Sequence, residues 1–199
     1  MVDNYQCFFY YIIMKLTAKD ITFTSVFTAT ACLAGLILKI APATVPFSML
    51  PLVAMLAGGV LGSKLGALSM TLYMILGLAG VPVFTNPPFG GLTYIFQPTF
   101  GFVIGFIFCA FVVGKISENN SRLSYAHNLL AMFLGLTALY ITGLAYLYLM
   151  LHVYLGREIG FIELLTMGFL PFILFDLIKA LIAVNLTRTL MKRINPKYK

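Results

Sequence analysis

Few residues in this chain can do polar chemistry, and two of them stand out by position. Asp176 and Lys179 lie in Pro171–Ala180, PFILFDLIKA, inside a long apolar run near the C-terminus. No other opposite charges are embedded together in such a run. Three residues apart, they share one face of a helix. In hydrocarbon each charge costs about 2.5–3.5 kcal/mol on insertion scales. A carboxylate supplies acceptors and an ammonium supplies three donors, so together they can grip a ligand that both donates and accepts. The plainer role is mutual neutralisation that braces a helix bundle. A buried pair left to itself often fails to recover its desolvation cost, so the pair is read as functional.

The remaining polar side chains in or near apolar stretches are Asn86, Gln97 and Asn185, besides hydroxyls. The Asn86 amide both donates and accepts, with an Asx-turn as its structural alternative. Asn185 lies near a span end and reads as interfacial. His127 and His152 lie near helix ends without a second His or a carboxylate close in sequence. Cys7, Cys32 and Cys109 are far apart, lack metal-ligand spacing and read as small buried thiols. No metal or cofactor is expected. Walker A and HExxH sequences are absent, and Gly90-Gly91 has no GxGxxG context. Nothing resembles a nucleophile with an adjacent base. A membrane enzyme is therefore disfavoured, and energy for any transport must come from a partner or an ion gradient.

The elements that position these groups follow from composition. Of 199 residues, 61% are hydrophobic and 10% are charged. Soluble domains run at about 45–50% apolar and about 25% charged. The expected fold class is an all-α integral membrane protein. A spanning helix takes about 20 residues, so the chain has room for six spans and little else. The net charge of +7 reflects topology rather than nucleic-acid binding.

The expected organisation is an N-terminal segment (1–16), a six-helix transmembrane domain (17–193) and a basic cytoplasmic tail (194–199). Residues 1–16 read either as an interfacial amphipathic segment or as lying upstream of a start at Met14. The spans are expected at 21–40, 47–61, 65–80, 99–113, 129–151 and 162–190. A turn at 62–64 joins spans 2 and 3, with a re-entrant pair as the alternative. Span 1 carries Ser25, Thr28, Ala29, Cys32 and Gly35, small residues that permit close helix approach. They serve either internal packing or docking of another membrane protein. Gly58, Gly62 and Gly66 form a similar series, and Gly101 and Gly105 share a face of span 4.

Val81–Pro98, VPVFTNPPFGGLTYIFQP, holds four prolines, two adjacent glycines and no charge. It cannot be regular helix. Its aromatic residues would not stay in water, so it is expected to be an ordered loop folded over a cavity. With both termini inside, Lys15, Lys19, Lys64, Lys115, Arg122, Arg188, Lys192, Arg193, Lys197 and Lys199 face the cytoplasm, and only Lys39 and Arg157 face out. That obeys the positive-inside rule. It places the 81–98 loop outside, with Asp176 about halfway along span 6. A pocket open to the outside and floored by Asp176 and Lys179 follows.

Three stretches taken together, GLAGVPVFTNPPFGG (77–91), QPTFGFVIGF (97–106) and PFILFDLIKA (171–180), resemble the BioY family. These are the biotin-specific S components of energy-coupling factor (ECF) vitamin transporters. The resemblance covers about Thr22 to Met191. It implies a six-helix, S-component-like bundle that binds biotin from outside and docks with a transmembrane T component and two cytosolic ATPases. The setting it implies is a bacterial cell membrane, with lipid around the bundle. Asn86, Asp176 and Lys179 take the positions of the family's polar ligand contacts. Phe84, Phe89, Gly90, Gly91, Tyr94 and Gln97 would complete the site. Ser25, Thr28, Ala29 and Cys32 would lie on the face toward the T component. The alternatives are an S component for another vitamin or a biotin precursor, and a solitary proton-coupled carrier in which Asp176 takes the proton.

Overall fold

A computed structural model describes residues 16–40, 48–118 and 124–194. The expectations for the N-terminal segment, the loop before span 2, Cys7 and the tail beyond residue 194 lie outside the described residues. The described residues form seven α-helices: α1 (Ala18–Ile40), α2 (Leu50–Leu61), α3 (Ser63–Leu78), α4 (Phe100–Glu118), α5 (Tyr125–Leu149), α6 (Phe161–Gly168) and α7 (Leu170–Ile194). A 3₁₀ turn (Leu92–Phe96) precedes α4, and a π-turn (Met150–Tyr154) extends α5. Four helical stretches are long and apolar enough to cross a membrane: Ala18–Ile37, Phe100–Glu118, Tyr125–Tyr154 and Leu170–Ile194. α2 and α3 are apolar but shorter.

α2 is the buried centre of the bundle. Nearly all its residues are shielded, and it packs against α1, α3, α4 and α7. Absent side chains make this possible. A Cβ on Gly58 would meet the Ala110 carbonyl oxygen of α4 at 2.3 Å, and one on Gly66 would meet Ala57 O and the Gly58 backbone at 2.9 Å. Gly58 and Gly66 thus do the close-packing work expected of small residues in lipid. Gly62 does something else: at φ 88° it ends α2 and starts α3 in a single residue, a conformation that suits glycine. Gly101 and Gly105 both face α5, where a Cβ would meet Tyr146 and Leu139. The perimeter is apolar and exposed, with Leu33, Ile37, Phe111, Ile141, Leu174 and Ile178 among its residues. This is the inside-out pattern of a chain whose solvent is lipid.

The α2–α3 turn is held from α4. The Ser63 amide donates to Glu118 Oε1 at 2.8 Å and its hydroxyl donates to Oε2 at 3.0 Å. A carboxylate at a helix N-terminus accepts from amides that have no partner in the helix and complements the dipole. Glu118→Ala is expected to lower stability by about 1 kcal/mol, read as a shift in melting temperature without change in ligand affinity. His127 ties α5 to α4 through Nε2 and the Ile116 carbonyl at 2.7 Å, a structural role.

One expectation needs correction. Residues 162–190 are not a single helix. Phe169, at φ −127° and ψ −59°, separates α6 from α7. Pro171, the second residue of α7, explains the break: it has no N–H for the Met167 carbonyl, and its ring would collide with that carbonyl. Asp176 is therefore not midway along a long span. It is the seventh residue of α7, about 9 Å from that helix's start at 1.5 Å per residue. That places it at the same end of the bundle as the Pro-rich loop.

Candidate ligand-binding site

Asp176 and Lys179 are each only 4% exposed. Lys179 Nζ donates to Asp176 Oδ1 at 2.7 Å across the expected i, i+3 spacing. The other carboxylate oxygen is also taken: the Tyr140 hydroxyl donates to Oδ2 at 2.6 Å. The ring of Tyr140 stands edge-on to Phe169 (centroids 4.9 Å) and to Phe102 (6.4 Å). The sequence reading missed Tyr140. One tyrosine in an apolar helix carries no mark of the residue it will meet on another helix.

The Pro-rich loop is ordered, and it is packed into the bundle. Phe84 and Tyr94 are 1% exposed, with ring centroids 4.2 Å apart. Phe84 is seated where Gly77 has no side chain: a Cβ there would lie 2.2 Å from the ring. Tyr73 donates its hydroxyl to the Val83 carbonyl at 3.1 Å, and the Gly91 amide donates to Gly77 O at 2.7 Å. Gly90 fits equally tightly, because a Cβ would lie 2.6 Å from Val81 O.

The tip of the loop behaves differently. Asn86, Pro87 and Pro88 are exposed, and the Pro87–Pro88 bond is cis. The turn closes when the Phe89 amide donates to Asn86 O at 2.7 Å, and the Phe84 amide returns to Phe89 O at 2.9 Å. These bonds hold Phe89 at φ 65°, a left-handed conformation that costs a bulky residue about 1–3 kcal/mol. The Asn86 side-chain amide donates to Thr99 Oγ1 at 3.3 Å. Gln97 is half-buried, and its backbone links the 3₁₀ turn to α4: its amide donates to Tyr94 O and its carbonyl accepts from Phe100 N, both at 3.0 Å.

Loop and charge pair are joined through aromatic residues. Tyr94 leads to Phe100 (6.3 Å) and Phe100 to Tyr146 (5.8 Å), whose hydroxyl donates to the Ile95 carbonyl. Phe102, two residues along α4, leads to Tyr140 and so to Asp176. The start of α4, the end of α5 and the start of α7 meet at one end of the bundle, beneath the loop. What is assembled there is a carboxylate with an ammonium on one oxygen and a phenol on the other, in aromatic and aliphatic surroundings. Such a set can recognise a mostly apolar ligand with a compact polar head.

The small-residue face of α1 divides. Ser25 and Ala29 are exposed and Cys32 is half-buried. Thr28 turns inward: it is 6% exposed, and its hydroxyl donates to Thr24 O at 2.9 Å and Ser69 O of α3 at 3.1 Å. For Thr28 these bonds fit the internal-packing alternative. A hydroxyl already spent on α3 packs the chain's own bundle.

The BioY family model matches residues 12–196. The chain belongs to the BioY family. A protein of Thermotoga maritima named biotin transporter BioY is 35% identical over 148 residues, spanning 74% of this chain and 82% of the relative. A Rhizobium etli protein of the same name is 32% identical, spanning 88% of this chain and 95% of its own. In three dimensions the chain matches a crystal structure of the S-component for biotin from an ECF-type ABC transporter. That match has a TM-score of 0.73 and 25% identity, over 89% of this chain and 95% of that one. This BioY-family chain thus shares its α-helical fold with an S component, and its relatives are named transporters, not enzymes.

Proposed function

We propose that this chain is a biotin-binding S component: it takes up biotin at the outer face of a cell membrane for an ECF-type, ATP-driven transporter. The observation that carries this reading is the buried Asp176–Lys179 pair, set at one end of a BioY-family bundle beneath an ordered aromatic loop. The four long apolar helices together with the shorter α2 and α3 make the six-span bundle, with both termini cytoplasmic. α6 lies at the outer end. α2 can be short because it is wrapped by other helices rather than by lipid.

Biotin offers an apolar ring and tail, a ureido head with N–H donors and a carbonyl acceptor, and a carboxylate. Asp176 accepts from a ureido N–H, and Lys179 donates to a ligand oxygen. Asn86 adds a hydrogen bond at the loop tip beside Phe89, Gly90 and Gly91. Phe84, Tyr94 and Gln97 shape the loop that covers the apolar part. The outward residues Ser25 and Ala29, with Cys32, form the face toward the T component, and two ATPases complete the transporter.

The test is calorimetry on the purified chain against biotin and a panel of other vitamins and biotin precursors. Asp176→Asn is expected to weaken biotin binding at least about tenfold, because a site built for a ligand N–H loses its charged acceptor. Preference for another panel member would replace biotin as the ligand. Uptake by the solitary chain in ATP-depleted vesicles under a pH gradient would replace the S-component reading with a proton-coupled carrier.

A further inference from the structure

We propose that Tyr140 determines specificity in this site by positioning the Asp176 carboxylate to receive a ligand N–H. The inference rests on the biotin reading above and deepens it. Lys179 is on the same helix as Asp176, and their bond lies within α7. Tyr140 comes from α5, and its 2.6 Å bond to Oδ2 ties the carboxylate to a second helix. With Lys179 on Oδ1 and Tyr140 on Oδ2, rotation of the carboxylate breaks one bond or the other.

The hydroxyl is itself held in place. The Tyr140 ring is flanked edge-on by Phe102 and Phe169. Phe102 in turn sits where Gly143 has no side chain, a Cβ there lying 2.4 Å from its ring. An ionised carboxylate has about four acceptor positions, and the two protein donors use one on each oxygen. The remaining positions therefore point in directions set by α5 packing. A ligand that brings an N–H there satisfies the carboxylate. An analogue without that hydrogen leaves a buried acceptor unmet, and such mismatches discriminate strongly. Tyr140 acts through Asp176, as a positioning residue.

Tyr140→Phe removes the hydroxyl and keeps the ring. The chain has three aspartates, Asp3, Asp20 and Asp176. In full-length protein carrying ¹³Cγ-aspartate the Asp176 carboxyl resonance is therefore assigned by its loss in Asp176→Asn. In ligand-free Tyr140→Phe that resonance is expected to move while that of Asp20 stays. The melting temperature is expected to hold within a few degrees. Biotin affinity is expected to fall about tenfold, and preference for biotin over a ureido N-methylated analogue to shrink with it. An unmoved Asp176 resonance, or parental affinity and preference despite a moved one, overturns the proposal. If the parent protein bound no biotin, the function proposed above would fall. The ligand-free resonance would then still uphold or overturn the hold of Tyr140 on Asp176.

Discussion

Lys179→Met is expected to destabilise the folded chain by about 3–5 kcal/mol and to abolish ligand binding. Asp176 is 4% exposed, and Lys179 is its charged partner in the described structure. Taking the ammonium away leaves a buried carboxylate with the Tyr140 hydroxyl as its described hydrogen-bond donor. The double change Asp176→Asn with Lys179→Met removes both charges and is expected to recover most of the lost stability, because an apolar or neutral replacement of a buried pair is often tolerated. It should still bind no biotin. Equilibrium unfolding in mixed micelles, with calorimetry on each variant, separates the two roles of the pair. If the pair only braces the bundle, the double variant binds biotin like the parent. If the pair is the polar head of a site, stability returns and binding does not.

The second large effect is expected from the smallest possible enlargement, Gly35→Ala. A Cβ at Gly35 would lie 1.9 Å from the Val83 carbonyl oxygen and 3.1 Å from its carbon, where ordinary contact begins at 3.4 Å. Backbone cannot step aside as a flexible side chain can. Val83 is held by Tyr73, whose hydroxyl donates to that same oxygen, and Phe84 follows it into the seat on Gly77. A methyl group at Gly35 must therefore push α1 and the loop apart. Overpacking of this kind costs about 1–3 kcal/mol or more. The loop that carries Asn86 and Phe89 then loses its anchor, so biotin affinity and melting temperature fall together. Gly160→Ala is the matched control. Its φ is −72° and nothing lies within 4 Å of its Cβ position, so it should leave biotin affinity unchanged and, at the α6 N-cap, lower stability by no more than about 1 kcal/mol. Parental affinity in Gly35→Ala would show that the loop's seat on α1 has no part in binding.

The two results bear on one design. Both concern one arrangement: a buried charge pair bonded by a tyrosine from another helix, and an ordered loop seated on glycines. The left-handed Phe89 and the tightly seated Phe84 show the loop to be over-determined by its own hydrogen bonds and by the glycines beneath it. That rigidity suits a site required to present the same few polar groups each time.

Much of this was legible in the residues. Apolar length and charge asymmetry reveal a helical membrane chain, because lipid leaves a backbone few ways to satisfy its own hydrogen bonds. The i, i+3 spacing of Asp176 and Lys179 forces them onto one face. Four prolines and a glycine pair exclude helix from 81–98. Glycines at four-residue steps mark close packing, as Gly58 and Gly66 illustrate. Even the break between α6 and α7 was written in Pro171, and a continuous apolar run concealed it.

What the sequence could not contain is which faces meet. Thr28 and Ala29 are neighbours of similar size, yet one bonds Ser69 and the other faces outward, a difference set by where α3 lies. Tyr140 and Asp176 are 36 residues apart, and no periodicity connects them. Their bond exists because Gly101, Gly105, Gly135 and Gly143 let α4 and α5 close together and because α7, starting afresh after Phe169, packs against α5. The sequence by itself determined the apolar, all-helical class of the protein and its charge pair, since these follow from local chemistry and the cost of burying charge. Only the tertiary structure decided that the pair has a tyrosine holding it from another helix, since long-range contacts arise from packing that no single segment encodes.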